Sequence, residues 1–130
     1  MNLLILGLLF VFNPVHAQPL EMLTVMESES KDTISLGKQV MITSDVINNQ
    51  DSSQGFAYIT QIKDESGIVI SLSWLTGYLS PNQSLSPAQS WTPMKSGAYS
   101  IEIFVWKNID NPDALSPPLI MNIKVIEDQD

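Results

Sequence analysis

The stretch Trp91-Thr-Pro-Met-Lys-Ser-Gly97-Ala-Tyr99-Ser-Ile101-Glu-Ile103-Phe-Val105-Trp106 constrains the fold more than any other part of the chain. Tyr99, Ile101, Ile103 and Val105 share one parity, the period of a strand with one buried face. Thr92-Pro93 favours an extended or turn conformation, because the proline ring crowds the residue before it. Gly97 can take a positive φ without a Cβ clash. Tyr99 therefore falls just after a corner, at the start of a strand, with Trp91 closing the strand before it. A tyrosine corner occupies this place in Greek-key sandwiches, its hydroxyl bonding backbone groups a few residues upstream.

The rest of the chain reads as short strands separated by turn signals. Leu23–Met26 is a first edge strand, continued by Thr33–Leu36. Gln39–Ile47 follows the Gly37-Lys38 turn, with Val40, Ile42 and Val46 alternating with polar residues. Asn48–Gly55 is a polar loop of turn-forming residues. Phe56–Lys63 and Ile68–Leu75 form a hairpin across Asp64-Glu-Ser-Gly67. Ile68, Ile70, Leu72 and Trp74 share one parity in the second of these. Gly77–Ser84 is a turn leading through Leu85 to Trp91. Asn108–Pro118 reads as a long loop, and Leu119–Ile126 as the last strand. No helical period appears. The pattern predicts an all-β chain, an immunoglobulin-like Greek-key β-sandwich of about seven strands.

A chain of 130 residues allows one such domain behind an export signal. Leu3 to Phe12 is an almost unbroken apolar run, broken by Asn13-Pro14, and Val15-His16-Ala17 supplies small residues for cleavage before Gln18. The run is short for a bilayer span. The expected organisation is a signal peptide over 1–17 and one domain over 18–130, secreted or held at the cell surface or in a periplasm-like space, with no stable membrane insertion after cleavage.

Composition excludes several function classes. The net charge is −8, and the six positive residues are all lysines. A site that tracks a nucleic-acid backbone needs a basic patch, so no nucleic-acid partner is expected. Anionic lipid is disfavoured on the same ground. Without arginine there is no bidentate clamp for carboxylate or phosphate. The one histidine, His16, lies in the signal, and there is no cysteine. The exported chain thus has neither imidazole nor thiolate for zinc or copper, nor a Ser-His-Asp or Cys-His catalytic set. No cofactor and no enzymatic activity are expected.

The segments Gly37-Lys-Gln-Val40, Val46-Ile-Asn-Asn49, Leu79-Ser-Pro-Asn-Gln-Ser84 and Trp91-Thr-Pro…Gly97-Ala-Tyr99 resemble the prokaryotic surface immunoglobulin-like domains of the CARDB type, cell-adhesion-related domains found in bacteria. The resemblance spans most of residues 32–126 and rests on turn and corner chemistry. It implies a binding or spacer module in an exported protein and no enzymatic activity. The chain departs from the pattern as a lone domain, and by lacking the acidic, Asn-rich ending common after the penultimate strand.

Two contact surfaces compete. With Tyr99, Ile101, Ile103 and Val105 inward, Phe104 and Trp106 face outward. With Tyr58, Thr60 and Ile62 inward on the neighbouring strand, Ile59 faces outward beside them. Ile59, Phe104 and Trp106 then form an apolar strip on an acidic protein, a candidate surface for a protein partner or a second copy. The rival is the long loop with Asn108, Asp110, Asn111 and Asp113. Its oxygens lack the series of a calcium loop and read as a solvated turn with Asx bonds around Pro112. Asp64 and Glu65 read as a solvated hairpin turn, the Glu127–Asp130 tail as a solvated terminus, and Asn82-Gln-Ser84 as a glycosylation sequon on a turn. The chain is expected to be an exported, non-enzymatic module for protein interaction or envelope association. A proteinase-inhibitor-like or enzyme-regulating protein acting through its end loops is the alternative. A carboxylate-based hydrolase would need two positioned carboxylates in a concave site.

Overall fold

The computed structural model of the chain describes residues 22–27 and 32–128. The predicted signal and its cleavage point lie outside these residues. Among the described residues ten strands run in chain order: β1 (Leu23–Glu27), β2 (Thr33–Ser35), β3 (Val40–Asn48), β4 (Gln54–Asp64), β5 (Val69–Leu79), β6 (Ser84–Leu85), β7 (Ala88–Trp91), β8 (Gly97–Asn108), β9 (Asn111–Ala114) and β10 (Leu119–Ile126). One sheet joins β1, β3 and β6, with β7 also on β3. The other runs β2-β10-β8-β4-β5, with β9 on the end of β8. The first edge crosses between sheets, as β1 pairs β3 and β2 pairs β10 in parallel. β6 and β7 lie along one strand, β3, interrupted at Ser86-Pro87. Joining β1 to β2 and β6 to β7 leaves, apart from β9, the expected seven-strand sandwich.

The core is the meeting of alternating faces. Tyr99, Ile101, Ile103 and Val105 of β8 are buried, as their parity predicts, with Tyr58 and Ile62 of β4 beside them. Ile42 and Val46 face them from β3. Each such side chain contributes roughly 1.5–3 kcal/mol on leaving water. A polar bond crosses the middle of the core: Ser44 on β3 and Tyr58 on β4 share a hydrogen bond of 2.7 Å, both groups fully buried. Burial raises the Tyr58 phenol above its ordinary value, while the bond with Ser44 works the other way.

The corner forms as its residues require. The Tyr99 hydroxyl donates to the Lys95 carbonyl at 2.7 Å, and the Trp91 and Tyr99 rings meet edge to face at 5.1 Å. Gly97 has φ 145°, and a Cβ there would lie 2.6 Å from Glu65 Oε1. That oxygen accepts the Ala98 N–H at 3.2 Å, tying the β4–β5 turn to the corner.

One expectation is corrected here. Asn108–Pro118 is not an open loop: β9 turns back along β8, pairing Asn108 with Asn111 and Trp106 with Ala114. Leu115 then enters the core at 2% exposure, its N–H donating to Val105 O at 2.8 Å and its carbonyl accepting from Leu23 N at 3.1 Å. Asp128 of the acidic tail stays exposed. Asp128 accepts from Ser35 at 2.6 Å and meets Lys38 at 2.5 Å, and these two partners, Lys38 foremost, hold its carboxyl below the ordinary value. On β5 the apolar parity Ile70, Leu72 and Trp74 faces solvent, as does Ile68 just before the strand. The inward parity is Ser71, Ser73, Leu75, Gly77 and Leu79. Ser73 donates to Gln89 of β7 at 2.6 Å, and a Cβ on Gly77 would stand 3.3 Å from the Phe56 ring.

Candidate functional site

The outward face of the five-stranded sheet is built from the odd residues of β4 and the even residues of β5 and β8. Strand register sets them in rows. Ile59 lies between Trp74 and Phe104, Ala57 between Thr76 and Trp106, and Gln61 between Leu72 and Glu102. Neighbouring strands stand about 4.8 Å apart, so side chains in one row touch. Ile59 is consequently only 5% exposed and Ala57 is fully buried. Of the predicted strip, Phe104 and Trp106 are half-buried and present the accessible surface, while Ile59 is the floor beneath them. Their rings lie 6.4 Å apart, tilted by 47°. Toward the corner end the face turns polar, with Lys63 paired to Glu102 at 3.0 Å.

Sequence reasoning missed the larger share of this face. Trp74 is 56% and Tyr78 83% exposed, both on β5. The signal was present as the parity of Ile70, Leu72 and Trp74, but parity alone does not say which face is inside. The Gly55–Tyr78 pairing points outward: a Cβ on Gly55 would lie 3.0 Å from the Tyr78 ring, so the ring spans the glycine's empty position.

The rival loop residues stand at the end of the sandwich where the β3–β4 connection, the β5–β6 turn and the β8–β9 hairpin meet. Asn108, Asp110, Asn111 and Asp113 are all exposed. Asn108 Oδ1 accepts from Ile109 N at 2.7 Å, Asn111 Oδ1 accepts from Asp113 N at 3.1 Å, and Asp113 lies 3.7 Å from Lys107. The Asx bonds expected around Pro112 are thus present. Among the described residues no group of three or more His, Cys, Asp or Glu side chains could hold a metal ion.

The organiser of this end is Asn48, which the sequence analysis placed in a polar loop and the structure buries completely. Its Nδ2 donates toward the carbonyls of Ser52, Leu79 and Ser80 at 2.9, 3.1 and 3.1 Å, and its Oδ1 accepts from Gln50 N at 3.1 Å. Its own N–H donates to Gln83 O at 2.9 Å. One side chain therefore fixes two loops. The β5–β6 turn carries Pro81 and then Asn82 at φ 61°, with Gln83 N donating to Ser80 O at 3.1 Å, the sequence signature of a type II turn.

At the opposite end an open cleft of about 530 Å³ runs past Asp64, Glu65, Trp91, Met94, Lys95 and Tyr99. Its carboxylates are engaged in local structure. Asp64 accepts from Ser66 N and Ile68 N at 2.9 and 3.0 Å, and Glu65 caps Ala98. Each carboxylate is thus committed to a different backbone segment, whereas a hydrolase would need the two positioned as a pair.

No protein-family model matches this chain, and no curated protein matches it. Solved structures do. The crystal structure of a CARDB domain from Pyrococcus furiosus, in complex with di-metal ions, superposes with TM-score 0.66 at 19% identity, covering 82% of this chain and 94% of that one. The β-glucosidase of Listeria innocua, in complex with isofagomine, matches with TM-score 0.62 at 9% identity over 79% of this chain and 16% of that chain. An alkylpurine DNA glycosylase from Pseudomonas fluorescens matches with TM-score 0.58 at 10% identity, over 81% and 30% respectively. The fold is the CARDB-type β-sandwich that the turn and corner segments pointed to. Such a fold hosts unrelated functions, so what the chain does is argued from its surfaces. Among the described residues no helix is long and apolar enough to cross a membrane.

Proposed function

We propose that the protein is an exported, non-enzymatic immunoglobulin-like module that holds a protein partner against the outward face of its five-stranded sheet. The observation that carries this reading is the aromatic surface of Phe104 and Trp106, seated on the buried floor of Ile59 and Ala57. A half-buried tryptophan on a preformed, rigid sheet loses little side-chain entropy on binding, and tryptophan dominates interface energetics. The apolar run Leu3–Phe12 followed by Val15-His16-Ala17 supports export, and a mature chain beginning at Gln18 on N-terminal sequencing tests that part.

The end loops are the second reading, favoured by Asn48, whose bonds hold the β3–β4 connection against the β5–β6 turn. A rigid loop end suits an enzyme-regulating protein that inserts loops into its target. Immobilised domain exposed to envelope extract separates the two. Trp106→Ser removes capture if the sheet face is the site. Shortening the hairpin at residues 109–112 removes it if the loops are.

A further inference from the structure

Sheet edges are exposed rows of unpaired N–H and C=O groups, and proteins shield them with short strands, charges, prolines or bulges. Among the described edges β5 is the least shielded, its one bulge lying at Ile70 near its start. β2 has three residues. β1 has five and ends in Glu27. The β6–β7 edge is interrupted by Ser86-Pro87. β5 is the terminal strand of the larger sheet, is eleven residues long, and contains no proline and no charged side chain. Indeed no charged residue occurs anywhere from Ser66 to Met94, in a chain whose net charge is −8. β5 also carries the exposed apolar parity Ile70, Leu72, Trp74 and Tyr78.

We infer that β5 is the seam of a symmetric dimer, in which it pairs antiparallel with β5 of a second copy to give one continuous ten-stranded sheet. The occupant follows from charge and symmetry. Two molecules of net charge −8 repel, and β5 is the long edge along which they can meet without juxtaposing like charges. An antiparallel strand pair is its own two-fold partner, which is the isologous arrangement of most dimers. Overlap of Ser71–Gly77, the run beyond the bulge at Ile70, with its copy centres the axis on Trp74. Trp74 then stands opposite the partner's Trp74, and Leu72 opposite the partner's Thr76. Every outward pair across the seam is apolar or uncharged, and aromatic cross-strand pairs are among the favourable ones. The main-chain groups on the open edge of β5 find partners, as in β-strand addition. This goes beyond the partner surface of Phe104 and Trp106, which it would double in extent without depending on it.

The absence of cysteine makes the register directly testable. Directly opposed residues of an antiparallel pair have Cα atoms about 4.5–5.5 Å apart, within disulfide range. Under mild oxidation of the purified domain, Trp74→Cys is expected to give a disulfide-linked dimer. Thr76→Cys alone is not, because its own copy lies about 13 Å along the seam. A mixture of Leu72→Cys and Thr76→Cys chains is expected to cross-link as a heterodimer. Sedimentation velocity over a dilution series of the unsubstituted domain should show reversible dimer, shifted at least tenfold toward monomer by Leu72→Lys with the strand signature of its circular dichroism unchanged. A domain that stays monomeric at every concentration overturns the inference. So does a dimer that Leu72→Lys leaves intact and that Trp74→Cys does not cross-link. Either outcome leaves the Trp106→Ser capture comparison standing on its own.

Discussion

Asn48 and Leu79 are joined across the end of the sandwich by a buried hydrogen bond of 3.1 Å, from the amide of one to the backbone carbonyl of the other. The bond links β3 of one sheet to the end of β5 in the other, and the same amide also reaches Ser52 and Ser80. A polar side chain so placed is costly to remove, because the carbonyls it satisfies stay buried. Asn48→Ala is expected to destabilise the domain by about 2–3 kcal/mol. Urea unfolding measures this, and a loss under about 0.5 kcal/mol would show that water replaces the amide without penalty.

The corner pair makes a graded prediction. Trp91→Ala and Tyr99→Ala each empty a site that is at most 9% exposed, and each is expected to cost about 2–5 kcal/mol. Tyr99→Phe removes only the bond to Lys95 O and should cost about 1 kcal/mol. Equal losses for Tyr99→Ala and Tyr99→Phe in chemical denaturation would mean that the hydroxyl, not the ring, carries the corner.

Leu115 distinguishes a folded hairpin from an open loop. Seated in the core at 2% exposure, it should lose about 2–4 kcal/mol on replacement by alanine. A loop residue would lose almost nothing in the same thermal or urea melt.

Tyr58 gives a pH dependence with a definite sign. Its phenol is raised in the folded chain by burial, so the folded state disfavours its ionisation more than the unfolded state does. That contribution is fully present below about pH 10, the unfolded value, and is lost as pH rises from there through the raised folded value. Stability measured from about pH 8 to pH 11 should therefore fall less steeply for Tyr58→Phe than for the unsubstituted chain. The same variant strands the fully buried Ser44 hydroxyl, lowering stability at neutral pH by about 1–2 kcal/mol. Parallel pH profiles would contradict the assignment.

Much of the fold was legible because its signals are local. The parity of Tyr99 to Val105, the Pro/Gly corner and the Asp64–Gly67 turn each specify backbone geometry within a few residues. Gly67 has φ 79° and its N–H closes onto Asp64 O at 2.9 Å, as the turn requires. What was not legible depended on partners distant in the chain. The parity of β5 is the same whether its apolar side faces in or out; only the register with β4 and the Ser73–Gln89 bond decide it. The outward orientation of Phe104 and Trp106 was readable from β8 alone. The burial of Ile59 between Trp74 and Phe104 was not. Asn48 looked like the first residue of a polar loop because its acceptors lie up to 32 residues away, at Ser80. Leu115 was misread for the same reason.

The most direct test of the account is the affinity of the domain for the protein it retains from envelope extract, with Trp106→Ser set against the unsubstituted chain. If the outward sheet face is the contact surface, the substitution weakens binding by about 30-fold, the equivalent of about 2 kcal/mol, while the urea midpoint stays within about 0.5 kcal/mol of the original. Unchanged affinity in Trp106→Ser, together with loss of binding when residues 109–112 are shortened, would place the site on the end loops and contradict the account.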